Sequence, residues 1–276
     1  MKTKKTVNQK LKRIFLSLLL PAAMTASVTC NAQNNSGIPP HQMRVASYNI
    51  QHGMGMDNQL NYKRIAEVLR AISPDVVALQ EVDSMTQRTN NTYALGEIAE
   101  QLNYYASYAP AIDFEGGKYG IGILSRERPI SVRQYALPGN EEARTLLVAE
   151  FDDFVFASTH LSLTEADRIA SIGIIEEAAK KSGKPFVVAG DLNAQPDSPF
   201  IRQFEEKFQI CSGKQKSWPA DKPTECLDYI AAYKRKSTSK NGKGGAQQPA
   251  VTLFSDVLNT QASDHRPIVA EIVLPR

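Results

Sequence analysis

The chain has 276 residues, of which 42% are hydrophobic and 22% charged. That suits one large domain with a packed core and argues against disorder, while the lack of any repeat of roughly 20 to 50 residues argues against a solenoid or propeller. The formal charge is +3, but Lys2, Lys4, Lys5, Lys10, Lys12 and Arg13 put six positive and no negative charges into residues 1–32, so the remainder carries −3 and lacks the broad positive field that nonspecific nucleic-acid binders use.

In chain order, the basic start is followed by a short apolar stretch, Ile14 to Ala26, interrupted by Pro21. It is too short for a comfortable membrane span and has the shape of a secretory signal. Small residues at Cys30-Asn31-Ala32 place the expected cut after Ala32. A second reading makes Cys30 a lipoprotein cysteine, with Ser27-Val28-Thr29 as a poor lipobox. Residues 33–41, with Ser, Gly and two Pro, read as a short tether, and residues 42–276 as a single catalytic domain.

Arg44 to Ile50 is predicted as a strand. Ile65, Val68, Leu69 and Ile72 fall at i, i+3, i+4 and i+7, which predicts an amphipathic helix over Tyr62 to Ile72, stopped by Ser73-Pro74. Asp75 to Val82 is a buried strand, and Leu95, Ile98, Ala99 and Leu102 mark a second helix. Five strands follow, Tyr104 to Ile112, Gly120 to Ser125, Ile130 to Leu137, Thr145 to Phe151 and Phe154 to Thr159, the last two joined by an Asp152-Asp153 turn. Then come a helix over Glu165 to Lys181, a strand over Phe186 to Gly190, and a short helix over Asp197 to Phe208. Strands over Leu227 to Ala232, Val251 to Phe254 and Pro267 to Val273 close the chain. Short hairpin links between neighbouring strands point to an α/β fold with mixed sheets. The polar, basic, Gly-rich stretch Lys234 to Gly245 reads as a solvated turn or as a clamp on an anionic substrate. Cys211 and Cys226 are expected to pair as a disulfide in an oxidising compartment.

Polar residues recur at or near the ends of apolar strands: Asn49, Glu81, His160, Asp191 with Asn193, Asp228, and Asp264 with His265. Each has an ordinary explanation alone: a satisfied core Asn or His, a surface acid, a turn cap. Together they would be costly to bury separately. Converging on one another and on a hard cation, they make a set suited to a metal and a phosphate. No G-x-S-x-G elbow and no H-E-x-x-H zinc motif is present.

Ser47-Tyr48-Asn49-Ile50, Leu79-Gln80-Glu81-Val82-Asp83, Ser158-Thr159-His160-Leu161, Gly190-Asp191-Leu192-Asn193, Leu227-Asp228-Tyr229-Ile230 and Ser263-Asp264-His265-Arg266-Pro267 resemble, in order, the signature set of the endonuclease/exonuclease/phosphatase superfamily, the DNase-I-like fold. The strand Gly120 to Arg126 also resembles that family, with Ile121 where many members carry Asn. The resemblance implies a four-layer α/β sandwich, two packed mixed β-sheets flanked by helices, with the active site at one end. It implies a Mg²⁺ cofactor, with Mn²⁺ able to substitute. Glu81 would be the principal ligand, with Asn49 and Asp264 near or on the metal. Asp191 would orient or deprotonate the attacking water with Asn193 beside it, Asp228 would pair with His265, and His160 would be a second donor to the phosphate. Arg144 resembles a family arginine that points toward the site, and Arg88 is a second candidate for substrate contact. His52 lines the rim or is merely exposed, and Arg168 is read as structural.

The expected activity is therefore hydrolysis of a phosphoester outside the cytoplasm by a monomer with no obligatory protein partner. The substrate is a small molecule or a lipid head group. The alternatives are a secreted nuclease acting on DNA or RNA and a catalytically dead binding domain.

Overall fold

The computed structural model describes residues 41–235 and 249–275. The expected signal and Cys30 lie outside the described residues, as do nearly all of the tether and residues 236–245 of the basic stretch. Among the described residues no helix is long and apolar enough to cross a membrane.

Twelve strands form two sheets of six. The first contains β1 (His41–Asn49), β2 (Val76–Ser84), β3 (Tyr105–Phe114), β4 (Gly117–Ser125), β11 (Val251–Val257) and β12 (Ile268–Leu274), in the order β11-β12-β1-β2-β4-β3. The second contains β5 (Ser131–Leu137), β6 (Arg144–Glu150), β7 (Val155–His160), β8 (Phe186–Asp191), β9 (Phe208–Ile210) and β10 (Asp228–Tyr233), in the order β5-β6-β7-β8-β10-β9. At the centre of each sheet lies one parallel pair, β1 with β2 and β7 with β8. Helices α1 (Tyr62–Ile72) and α2 (Ala94–Leu102) bridge elements of the first sheet, and α3 (Glu165–Ser182) and α4 (Pro199–Lys207) those of the second.

Three apolar layers follow from the alternation of side chains along the strands. Val45, Val76, Ile121, Leu147, Phe156, Val187, Ile230 and Ile268 fill the space between the sheets. Tyr48, Leu79 and Leu124 pack with Ile65, Leu69, Leu95 and Ile98 of α1 and α2. Val188, Tyr229 and Ala157 pack with Ile172, Ile175, Phe200 and Phe204 of α3 and α4. The result is the four-layer sandwich that the family resemblance implies. The helix Tyr62–Ile72 has the bounds its periodicity predicts, begun by Asn61, whose side chain accepts from the Arg64 N–H, and ended by Ser73 in a left-handed conformation. Ser198 caps α4 through the Ile201 N–H, with Pro199 in the first turn.

Two expectations are corrected. Residues 208–210, taken partly into the preceding helix, form the edge strand β9, because Phe208 turns extended and pairs Tyr233 of β10. The cysteines do not form a disulfide: both are free and buried. Cys211 belongs to the core between the sheets and Cys226 to the core under α3 and α4. They therefore lie on opposite faces of the second sheet, where no S–S bond can reach.

Candidate active site

The period of two decides which strand-end residues face each other across the sandwich. In β1, Met43 and Val45 face the space between the sheets, so Asn49 does too. In β8, Val187 and Ala189 face it, so Asp191 does. Phe156 brings His160 with it, and Ile230 brings Asp228. Four polar residues thus emerge at one end of the sandwich from both sheets.

Glu81 arrives by a different route. Strict alternation would send it with Val77 and Leu79 toward α1 and α2. The register of β2 against β4 slips between Leu79 and Val82, and Glu81 takes the left-handed φ of 57°. This bulge re-aims the side chain. Asn49 Nδ2 donates to Glu81 Oε1 at 3.0 Å and to Asp191 Oδ2 at 3.2 Å, so one amide spans the two sheets. Asn49 Oδ1 accepts the Gln51 N–H at 3.1 Å. Asn49, expected near or on a metal, turns its side-chain nitrogen and not its oxygen toward the carboxylates.

Asp191 is the hub. Its Oδ2 also stands 3.7 Å from the Nε2 atoms of both His160 and His265, and its Oδ1 accepts the Asn193 N–H at 2.9 Å. Asn193 is left-handed at φ 49° and donates its side-chain N–H to the Leu161 carbonyl oxygen, tying the β8 and β7 loops together. His160 and Asp191 pair directly in the parallel register. That closeness requires Gly190, since a Cβ there would lie 2.0 Å from the Thr159 carbonyl oxygen.

His265 Nδ1 lies 2.9 Å from Asp228 Oδ2, and Ser217 Oγ donates to the same oxygen. Burial opposes charge on His265, but the Asp228 carboxylate, helped by Asp191 and Asp264, outweighs it and raises the pKa to about 10. His160 is the opposite case. Burial, assisted by the Arg144 and His265 cations, holds its pKa near about 4 despite Asp191, so the ring is neutral. Sequence reasoning missed Ser217, whose loop carries no motif. Ser263 Oγ donates to the Asn49 carbonyl oxygen at 2.8 Å and fastens the Ser263-Asp264-His265 segment to the end of β1.

Glu81, Asp264 and Asp191 form a negative cluster. Burial raises the Glu81 pKa to about 7, and the Asp264 and Asp191 charges push the same way against the Asn49 hydrogen bond and the His265 cation. Carboxylates crowded in this way fit a hard divalent cation with oxygen ligands, for which Glu81 and Asp264 are the available donors. Asp191, Asp228 and His265 also bring ligand atoms within 4.8 Å of one another. There His265 Nδ1 is engaged by Asp228 and the ring is cationic, so a metal at Nε2 would have to displace a proton.

Arg144 sits buried at the head of β6, with Nη1 3.3 Å from Glu142 and Nη2 3.5 Å from Glu141, and its Nε has no partner among the described residues. Arg88 is corrected. Its Nε and Nη2 are both committed to buried Asp83, at 2.7 and 2.8 Å, and its guanidinium lies 4.4 Å from the Phe114 ring centre, so its task is structural. Arg168 donates to the Ser162 and Leu163 carbonyl oxygens and holds the loop after His160.

Comparison with known proteins follows the same outline. The model of the Endonuclease/Exonuclease/phosphatase family matches residues 46–265. No curated protein sequence matches the chain. Among solved structures, an endonuclease/exonuclease/phosphatase family protein from Bacteroides thetaiotaomicron superposes with a TM-score of 0.67 at 17% identity, covering 87% of this chain and 100% of that one. A mannosyl-6-phosphatase from the same organism gives 0.65 at 16% identity, covering 84% and 99%. The human nocturnin catalytic domain, with a bound sulfate anion, gives 0.61 at 16%, covering 85% and 95%. At these identities the likeness is one of fold.

Proposed function

Because the chain belongs to the endonuclease/exonuclease/phosphatase family, whose members hydrolyse phosphoester bonds, we propose that it is an exported, Mg²⁺-dependent hydrolase of a small or lipid-borne phosphoester. The observation that carries this reading is the set of contacts at Asp191 Oδ2: the Asn49 amide at 3.2 Å and two imidazole Nε2 atoms at 3.7 Å, one of them charged through Asp228.

In the proposed reaction, Asp191 takes a proton from a water as that water attacks phosphorus, and the P–O bond to the alcohol breaks on the opposite side. One new P–O bond forms and one is lost; the departing oxygen takes a proton from solvent and leaves as an alcohol, and Asp191 returns its proton to solvent. Cationic His265 and neutral His160 present Nε2 toward the same space, where N–H donors stabilise the charge on the nonbridging oxygens. Mg²⁺, held by Glu81 and Asp264, would supply further charge neutralisation there. Asn49 keeps Glu81 and Asp191 at a fixed separation, and no step needs a covalent enzyme intermediate.

A small substrate is favoured over nucleic acid because residues 33–276 carry a net charge of −3 and lack the broad positive field that nucleic-acid binders use, and because Arg88 and Arg144, the two arginines read as substrate contacts, face carboxylates. The sugar-phosphate activity named for the mannosyl-6-phosphatase neighbour fits the same class. The proposal includes export, on the basic and apolar start of the chain.

The test is to incubate the purified protein and its Asp191→Ala variant with sugar phosphates, inositol phosphates, sphingomyelin, an aryl phosphodiester and plasmid DNA, with Mg²⁺ or EDTA. Mg²⁺-dependent and Asp191-dependent release from a small or lipid ester is expected. Turnover of plasmid DNA alone would replace this reading with a nuclease, and turnover of nothing would sink both.

A further inference from the structure

Trp218 is the one tryptophan of the chain, and it lies beside the site. Its ring centre stands 6.4 Å from that of His265, with the two planes inclined at 47°. Ser217, immediately before it, is the residue whose hydroxyl donates to Asp228. The surrounding backbone is tied to the segment that carries Asp264 and His265. The Ala220 N–H donates to the Asp264 carbonyl oxygen at 2.7 Å, and the Arg266 N–H to that of Ser217 at 2.8 Å. The Trp218 N–H donates to the Glu225 carbonyl oxygen at 3.1 Å, and the Thr224 and Glu225 N–H groups both donate to the Trp218 carbonyl oxygen at 2.8 Å. The indole is therefore carried on a fixed backbone.

The folded chain leaves much of that ring unused. Trp218 belongs to none of the three apolar layers and stays partly exposed. Its indole N–H makes no hydrogen bond among the described residues, and it is not a buried group. A large apolar face left toward water forgoes burial free energy that a ligand would recover.

An indole offers a ligand a flat face suited to C–H groups and one N–H donor at its edge. A cyclic polyol is the complement of both, with C–H bonds on its ring faces and hydroxyl oxygens around its rim. An acyclic alcohol has no ring face to lay on the indole. A quaternary ammonium suits an indole face, but here it would sit beside the His265 imidazolium. In the hydrolase reading His265 donates to a phosphoryl oxygen, and the alcohol portion begins one oxygen away from phosphorus, on which side Trp218 is the neighbouring surface.

We infer that Trp218 is a specificity-determining residue whose indole stacks on the ring of a cyclic polyol, so that the substrate class is a sugar or inositol phosphoester. The inference rests on the hydrolase reading above and goes further by naming the shape of the alcohol and the surface that reads it.

A single tryptophan makes binding directly visible. The fluorescence of full-length Asp191→Asn protein with Mg²⁺ is titrated with glucose phosphate, inositol phosphate and glycerol phosphate. In parallel, kcat/KM is measured on the same three esters for wild type, Trp218→Ala and Trp218→Phe. A saturable fluorescence change is expected with a ring phosphate and not with glycerol phosphate, and the ring that responds distinguishes sugar from inositol. In Trp218→Ala the ratio of ring-ester to glycerol-ester kcat/KM is expected to fall at least about tenfold through KM, and Trp218→Phe, which keeps a flat face, should recover most of it. A fluorescence signal that neither ring phosphate moves overturns the inference, as does an unchanged ratio in Trp218→Ala. If Trp218→Ala fails to fold, the titration and Trp218→Phe decide, and a Phe variant that loses ring and glycerol esters equally overturns the inference. Wild-type turnover with a silent titration keeps the hydrolase reading and removes only the role of Trp218. A ring-specific fluorescence change with no turnover of any ester keeps the ring platform and removes hydrolysis.

Discussion

Asp228 Oδ2 stands 2.9 Å from His265 Nδ1, and the Nε2 atom of the same ring stands 3.7 Å from Asp191 Oδ2. One carboxylate fixes the ring and its charge, and the other shares the working end. Asp228→Asn removes the first. In that variant burial acts on His265 with less opposition, so its pKa, read by NMR titration of the imidazole, is expected to fall from about 10 toward the usual 6.5 or below. Turnover is expected to fall about 100-fold. The raised pKa also adds stability that is complete below the unfolded value of 6.5 and vanishes as pH rises through about 10. Wild-type melting temperature should decline across that window, and the variant's decline should be much smaller.

Asp191→Asn keeps the shape of the hub and removes its charge. The water loses its base, so kcat is expected to drop about 10²- to 10⁴-fold. Stability should change little, because the lost charge both crowds Glu81 and supports the His265 cation, and the two effects oppose each other. Steady-state kinetics and a melting curve on the same sample check both halves, and a variant that is merely misfolded would lose both.

Glu81 gives a pH test of metal binding. Its pKa is raised from 4.5 to about 7, mainly by burial. The folded protein without metal therefore holds an extra proton between those values, and its stability falls as pH rises from 4.5 through 7. Divalent metal competes with that proton. The rise in melting temperature produced by Mg²⁺ should be small at pH 6 and grow by pH 8, and EDTA should abolish it. Glu81→Gln should show little Mg²⁺ effect at either pH, while being more stable than metal-free wild type at pH 8.

Gly190→Ala puts a methyl group 2.0 Å from the Thr159 carbonyl oxygen. Neither strand can yield, because both lie inside the second sheet with cores on both faces. A loss of about 1–3 kcal/mol is expected, which is roughly 2–4 °C of melting temperature per kcal/mol for a domain of this size. Activity should fall further than stability, because the push separates His160 from Asp191.

Thiol counting checks the cysteines. Denatured without reductant, the protein should show Cys211 and Cys226 both reactive. Reductant should leave the melting temperature unchanged. A shift on reduction would restore the disulfide.

The strand-end residues were legible because a carboxylate, carboxamide or imidazole at or near the end of an apolar strand is expensive unless it meets a partner, and six such segments have one common solution. Asn49, His160, Asp191 and Asp228 follow from simple alternation. Glu81 does not: its motif marks it, but the turn toward the site depends on a bulge that no periodicity contains. Arg88 was misread because its commitment to Asp83, five residues earlier, and to Phe114 is set by tertiary packing. Cys211 and Cys226 are close in sequence and suggest pairing, yet which face of a sheet each occupies is decided by strands β9 and β10, the first of which has only three residues. Ser217 lies in a loop whose approach to Asp228 no local pattern encodes.

The Asn49 amide has one hydrogen on each half of the sandwich, reaching Glu81 on one sheet and Asp191 on the other. The gap between those carboxylates is therefore gauged by the thickness of the apolar filling behind them. Side chains such as Ile123 and Phe156, which touch no substrate, act as shims. Thinning one would detune catalysis at a distance, whereas the loops at the rim can be rewritten for a new ester without disturbing the calibre of the reaction centre.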